Sequence, residues 1–252
     1  MMKQCLKRVC VFGVILGLVA GVATAADLYS SGDKTWDTST ANWGAVSGAT
    51  NGAIWNSGTP DNAIFEGTAG AVTLGEDIDI VHLRFTTAAN NYTVGGNTLN
   101  FAVGGSITQG YKNAYHTITS AIIGSPDVGV INGTGYNGLT FAPTAGTVML
   151  GTCTVPYDDA VGGDKAGIHF GGSTTGNSVS EVRYDGGDRY GGIYVEGSGS
   201  WTFGDIKIGT VYITGSLIAN GTIDTDYGGL QLQNGGTLHY NNAGAVLDNF
   251  KI

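Results

Sequence analysis

The sequence predicts an all-β chain wound as a parallel β-helix, a β-solenoid with an N-terminal Trp-rich cap. Three observations carry that prediction. First, a Gly-rich turn followed by an apolar-polar-apolar triplet recurs along the chain. The clearest copies are Leu139-Thr140-Phe141, Val148-Met149-Leu150, Ile168-His169-Phe170, Val182-Arg183-Tyr184, Ile193-Tyr194-Val195, Trp201-Thr202-Phe203, Leu230-Gln231-Leu232 and Leu238-His239-Tyr240. Alternation with a period of two marks a strand with one buried face. Second, glycine accounts for 44 of 252 residues against four prolines, a composition that punctuates strands with turns and excludes collagen and proline-rich linkers. Third, no stretch of a dozen residues after Ala26 combines helical apolar spacing with a cap, while β-branched and aromatic residues dominate.

Residues 1–25 read as a signal peptide. Lys3, Lys7 and Arg8 supply a basic start, Val9 to Ala20 an apolar run too short to span a bilayer comfortably, and Ala23-Thr24-Ala25 a small-x-small cleavage site before Ala26. Cleavage takes three of the 11 basic residues and none of the 20 acidic ones, leaving eight against twenty and a net charge of −12. So acidic a chain makes a poor partner for nucleic acid or anionic membranes. Cys5 and Cys10 leave with the signal, so Cys153 alone remains and no internal disulfide can form. The 42% hydrophobic content must hold the mature chain together by burial and strand hydrogen bonding, and it argues against disorder.

Residues 26–70 read as the cap segment. Trp36, Trp43 and Trp55 lie within twenty residues of Gly, Ser, Thr, Ala and Asn, as expected of large rings plugging the end of a narrow core. The competing reading of these tryptophans is a sugar-stacking platform.

Residues 71–252 read as the coil itself. Its runs of three to five residues are shorter than typical sandwich strands and suit a narrow stacked core. Matching triplets recur at uneven intervals of 29, 25 and 37 residues, from Leu139 to Ile168 to Ile193 to Leu230. Rungs of about 20 residues stacked at about 4.8 Å predict about eleven rungs and a rod of about 50 Å. Asn-Gly pairs at Asn51, Asn132, Asn137, Asn220 and Asn234 are expected in turns that need positive φ.

The string Trp36-Asp37-Thr38-Ser39-Thr40-Ala41-Asn42-Trp43 is followed by Trp55, Pro60-Asp61-Asn62-Ala63-Ile64-Phe65, Val72-Thr73-Leu74, Leu83-Arg84-Phe85 and Tyr92-Thr93-Val94-Gly95-Gly96-Asn97-Thr98-Leu99. This opening resembles bacterial proteins with autotransporter-associated β-strand repeats, over residues 30 to 110 in detail and beyond them in style. The resemblance implies an exported, right-handed parallel β-helix of surface or matrix type. Family members that end in a Pro-Glu-Pro sorting tail differ from this chain, which ends at Asp248-Asn249-Phe250-Lys251-Ile252 and reads either as freely secreted or as part of something longer.

Chemistry-bearing residues are scattered. His82, His116, His169 and His239 read as solvated surface histidines, and no zinc spacing or nucleophile elbow occurs. Asp158-Asp159, His169 and Asp205-Ile206-Lys207 loosely imitate a polysaccharide hydrolase. Asp159 and His169 are only ten residues apart, however, which is half a rung rather than a whole one. Asp158, Asp159, Asp164, Asp185 and Asp188 near Gly-Gly turns are weak calcium candidates without a nonapeptide repeat. Tyr111, Tyr115, Tyr136, Tyr157, Tyr184, Tyr190, Tyr194 and Tyr212 offer a binding surface of low charge. No catalytic residue, cofactor-binding residue or metal ligand is nominated. The expected function is that of an exported structural or adhesive protein whose partners are extracellular glycans or other surface proteins. The alternative is a carbohydrate-binding or polysaccharide-degrading β-helix.

Overall fold

A computed structural model describes residues 24–49, 51–86, 91–110, 114–130, 137–155, 166–184, 192–242 and 250–251. The proposed signal peptide therefore lies almost wholly outside the described residues. In chain order the strands are β1 (Asp27–Ser30), β2 (Lys34–Trp36), β3 (Asn62–Phe65), β4 (Ala71–Leu74), β5 (Ile78–Phe85), β6 (Thr93–Gly96), β7 (Leu99–Gln109), β8 (Tyr115–Ile118), β9 (Ile122–Ile123), β10 (Asp127–Val130), β11 (Asn137–Phe141), β12 (Met149–Val155), β13 (Ala166–Phe170), β14 (Asn177–Tyr184), β15 (Gly192–Val195), β16 (Ser200–Ile213), β17 (Ser216–Ala219), β18 (Ile223–Leu232), β19 (Thr237–Tyr240) and β20 (Phe250–Lys251).

Every pairing between these strands is parallel, and together they generate three strand columns, the three faces of a coil. A parallel strand cannot pair with its immediate sequence neighbour through a tight turn, so the chain travels round a full circuit before meeting itself. On the first face the inward positions form one continuous ladder: Leu28, Ala63, Leu83, Ile107, Val128, Cys153, Val182, Ile206 and Ile223. All nine are buried. Second-face strands stack Leu139 on Ile168, Ile193, Val211 and Leu230, and third-face strands stack Ile78 on Leu99 and Ile122 and, further along, Trp201 on Leu217 and Leu238. The hydrogen bonds between rungs run along the axis of the coil, while the polar middle residue of each triplet points out.

The uneven triplet spacing has a structural cause. Leu139, Ile168 and Ile193 are consecutive rungs, 29 and 25 residues apart, whereas the 37 residues from Ile193 to Leu230 cover two rungs through Val211. Val211 escapes the pattern because β16 runs 14 residues without a Gly-rich break between faces, pairing first with β14 and then with β15. Successive inward residues of the first face lie 17 to 35 residues apart, so variation in length is absorbed between strands and leaves the ladder in register. Nine strands stack on that face among the described residues, fewer than the eleven rungs expected from a 20-residue repeat. At about 4.8 Å per rung the stack is about 40 Å long.

At the N-terminal end, Trp36, Trp43 and Trp55 are at most 1% exposed. Their ring centroids lie 4.7 to 5.1 Å apart, and Trp36 and Trp43 pack on Phe65 at 5.9 and 5.7 Å. Edge-to-face aromatic packing of this kind adds to area burial. The intervening segment also covers a strand edge: Gly44 exchanges backbone hydrogen bonds with Tyr29 on β1 (2.8 and 2.9 Å), and Trp43 does so with Ala53. Both contacts are antiparallel, against the parallel order of the coil, so the segment blocks further strand addition at β1. Gly44 is required there, since a Cβ would overlap the Ala49 carbonyl. Lys34 occupies an inward position beside Val72, donates to the Asn42 carbonyl (2.6 Å) and places its Nζ 4.0 Å from the Trp43 ring centre. Burial lowers its pKa to about 8.

One expected turn is a strand. Asn137 begins β11, and Gly138 lies beneath the ring of Tyr115, where a Cβ would come within 2.6 Å of ring carbon. Asn234-Gly235 does form the expected turn, with φ of 49° and 83°.

Candidate functional site

The outward positions of the second face form a regular surface column. Thr117, Thr140, His169, Tyr194, Tyr212 and Gln231 follow one another in register, one per rung. The His169 and Tyr194 rings stack at 4.4 Å and 10°, and Tyr194 and Tyr212 stack at 4.8 Å and 8°. These spacings match the separation of neighbouring parallel strands, so the backbone register itself sets the stack. Beside it runs a second column on the outer side of the strands, Tyr115, Gly138, Gly167, Gly192, Thr210 and Gly229, of which Tyr115 is exposed and the other five are covered. Its glycines leave room for the aromatic rings: a Cβ on Gly167 would meet the Tyr194 ring at 3.0 Å, and one on Gly192 the Tyr212 ring at 3.5 Å. None of these twelve residues is Asp, Glu, Lys or Arg. A carboxylate stands at the margin, that of Glu196, whose Oε1 lies 3.3 Å from His169 Nδ1.

On the first face, the paired strands β14 and β16 carry a cluster of charged outward side chains. Lys207 Nζ lies 3.9 Å from a Glu181 oxygen and 3.7 Å from an Asp205 oxygen, and Arg183 lies 3.8 Å from Glu181. These are half-exposed pairs, held by water as much as by one another. Asp205 also accepts the Thr222 backbone N–H at 2.8 Å, as Asp127 accepts that of Thr152 at 2.8 Å, so such carboxylates satisfy backbone donors beside the strands.

The structure separates the residues of the hydrolase reading. His169 belongs to the second face and Asp205 and Lys207 to the first. Asp158 and Asp159 lie outside the described residues, as do Asp164, Asp185 and Asp188 of the calcium reading. Among the described residues no group of three His, Cys, Asp or Glu side chains could hold a metal ion. The tryptophans cannot form a sugar platform, since all three are enclosed. Of the eight tyrosines, Tyr115, Tyr194 and Tyr212 are outward, Tyr184 packs against the edge of the core, and Tyr111, Tyr136, Tyr157 and Tyr190 lie outside the described residues.

His116 corrects the expectation of solvated histidines. It is fully buried in the inward ladder directly above Leu139, its ring stacked 4.1 Å from Phe85, with Nδ1 accepting the Tyr92 backbone N–H at 3.1 Å. Burial lowers its pKa to about 4, so it is neutral at pH 7. His82 and His169 are half-buried outward residues and His239 is exposed. Sequence reading also passed over Asn177, which sits inside opposite Trp201. Its Oδ1 accepts the Val148 N–H (3.0 Å), and its Nδ2 donates to the carbonyls of Thr174 (2.9 Å) and Ser200 (3.2 Å). The preceding Gly176, with φ of 80°, was the available signal for that corner.

Comparison with known proteins gives one informative likeness. The chain is 29% identical over 261 residues to the Adhesin BmaC autotransporter of Brucella suis biovar 1 (strain 1330), a match that covers 90% of this chain. The chain spans about 7% of that protein's length. No family model matches the sequence, and no solved structure matches the fold. No helix among the described residues is long and apolar enough to cross a membrane.

Proposed function

We propose that this chain is an exported, non-catalytic adhesive segment of a bacterial surface protein, a β-solenoid that presents its outer faces to a partner. The observation that carries this reading is the likeness to an autotransporter adhesin over 90% of the chain. The coil supports it, because a stack of rungs displays long regular columns of side chains without needing a catalytic cleft. The signal peptide reading of residues 1–25 supplies the export.

The column of Thr117, Thr140, His169, Tyr194, Tyr212 and Gln231 is the contact face, and a neutral glycan is the partner class it suits. Hydroxyl, imidazole and amide groups repeat at rung spacing beside aromatic ring surface, and the absence of Asp, Glu, Lys and Arg from both columns spares a neutral sugar the cost of desolvating those ions. The test is binding of the mature chain to host cells and to a glycan array, with Tyr194→Ser/Tyr212→Ser as the paired variant. Adhesion of the wild type that falls tenfold or more in the variant is expected. A wild type that binds neither cells nor glycans overturns the adhesive reading, and cell adhesion indifferent to the variant moves the contact to another face.

A further inference from the structure

We propose that Tyr194 and Tyr212 are a site of oxidative cross-linking, joined by a one-electron oxidant such as a peroxidase with hydrogen peroxide into a dityrosine that staples two neighbouring rungs. The two residues are direct partners in the parallel pairing of β15 with β16, and their rings lie 4.8 Å apart and 8° from parallel. Both are half-buried outward side chains, so an oxidant reaches them while the strands hold them together. By contrast Tyr92 is fully enclosed. Tyr115 is 40% exposed but stands three rungs from Tyr194, through Gly138, Gly167 and Gly192.

The chemistry needs nothing from the rest of the protein. Each phenol gives up one electron and its hydroxyl proton, and the unpaired spin spreads to the carbons beside the oxygen. One such carbon of Tyr194 bonds to its counterpart on Tyr212. The hydrogens displaced from those two carbons return to the phenolic oxygens, and the peroxide takes up two electrons and two protons to become two waters. For this bond to form, the two rings turn out of their stack until the carbons beside the oxygens meet edge to edge, and of the two biaryl rotamers the parallel register of the strands selects the one with both Cβ atoms on the same side. Proximity fixed by the backbone turns the coupling into an intramolecular step favoured over collision between molecules. His169 covers the other side of Tyr194 at 4.4 Å, which leaves the Tyr212 side for bond formation. The product is a covalent tie in a mature chain whose lone cysteine, Cys153, is buried and cannot provide one.

The experiment treats the folded full chain with peroxidase and limiting hydrogen peroxide, then digests it for mass spectrometry while following dityrosine fluorescence. The expected result is a linked peptide pair containing Tyr194 and Tyr212, lighter than its parts by two hydrogens. It should be lost in Tyr212→Phe, retained in Tyr115→Phe, and diluted among other tyrosine pairs when the chain is oxidised in denaturant. Circular dichroism of Tyr212→Phe checks that the coil is intact. Cross-links spread evenly over the tyrosines of the folded chain, or found only between molecules, overturn the proposal. Neither outcome depends on whether the chain adheres to anything.

Discussion

His116 shows how one side chain can escape its local pattern. It stands two residues before the buried Ile118, so the period of two within β8 already places it on the inward side, where a polar ring is not expected. Its partner in the ladder, Leu139, lies a rung away in space and 23 residues away in sequence. Enclosure has a thermodynamic consequence. The folded pKa of about 4 lies below the unfolded value of about 6.5, so the unfolded chain binds the extra proton first. The contribution is therefore fully present above pH 6.5 and is lost as the pH falls towards 4, by up to about 3 kcal/mol. Urea unfolding midpoints measured from pH 7.5 to 4 should fall more steeply for wild type than for His116→Phe, and superimposable pH profiles would show that the imidazole is not linked to folding.

At the scale of elements, the triplets were legible because both flanking residues of each face the core, as in Ile168 and Phe170 around His169. The tryptophan cluster was legible as a cap for a related reason, since rings that large in so polar a stretch need a dedicated place to be buried. What remained hidden lay at the corners, where side chains do the work of turns. Asn177 satisfies three backbone groups from inside the coil, and its sequence neighbourhood of Gly, Ser and Thr looks like loop. The cap invites a direct test. Trp36 touches Trp43, Trp55 and Phe65, and Trp36→Ala should cost about 3–5 kcal/mol in denaturant unfolding. Opening the cap also frees the edge of β1 now occupied by Gly44, so the variant should self-associate in sedimentation experiments where the wild type does not. A Trp36→Ala protein as stable and as dispersed as wild type would mean that the tryptophans do not close the coil.

For the molecule as a whole, the parallel coil was legible in composition and alternation, although β7 and β16, at 11 and 14 residues, are far longer than the runs of three to five that the triplets suggest, because each continues from one face onto the next. The number of rungs was not predictable. A repeat of constant length does not describe it, since successive inward residues of the first face stand as close as 17 residues, from Ile206 to Ile223, and as far apart as 35, from Leu28 to Ala63. Function was less legible than fold because the outward columns are composed of the same Thr, Tyr and Gly that make good strands and turns, so a recognition surface and an inert one are spelled alike.

The alignment of the inter-rung hydrogen bonds with the axis of the coil also has a mechanical meaning. A pull applied between the two ends loads rows of bonds one after another, and an outermost rung can peel away while those behind it stay seated. From Ala63 onward, each release frees the 17 to 29 residues of one circuit, about 60–100 Å of extended chain. Single-molecule stretching of the full chain should give a staircase of such steps, and one abrupt loss of the entire coil would show that the rungs yield together. A surface protein built this way would lengthen under drag before it let go.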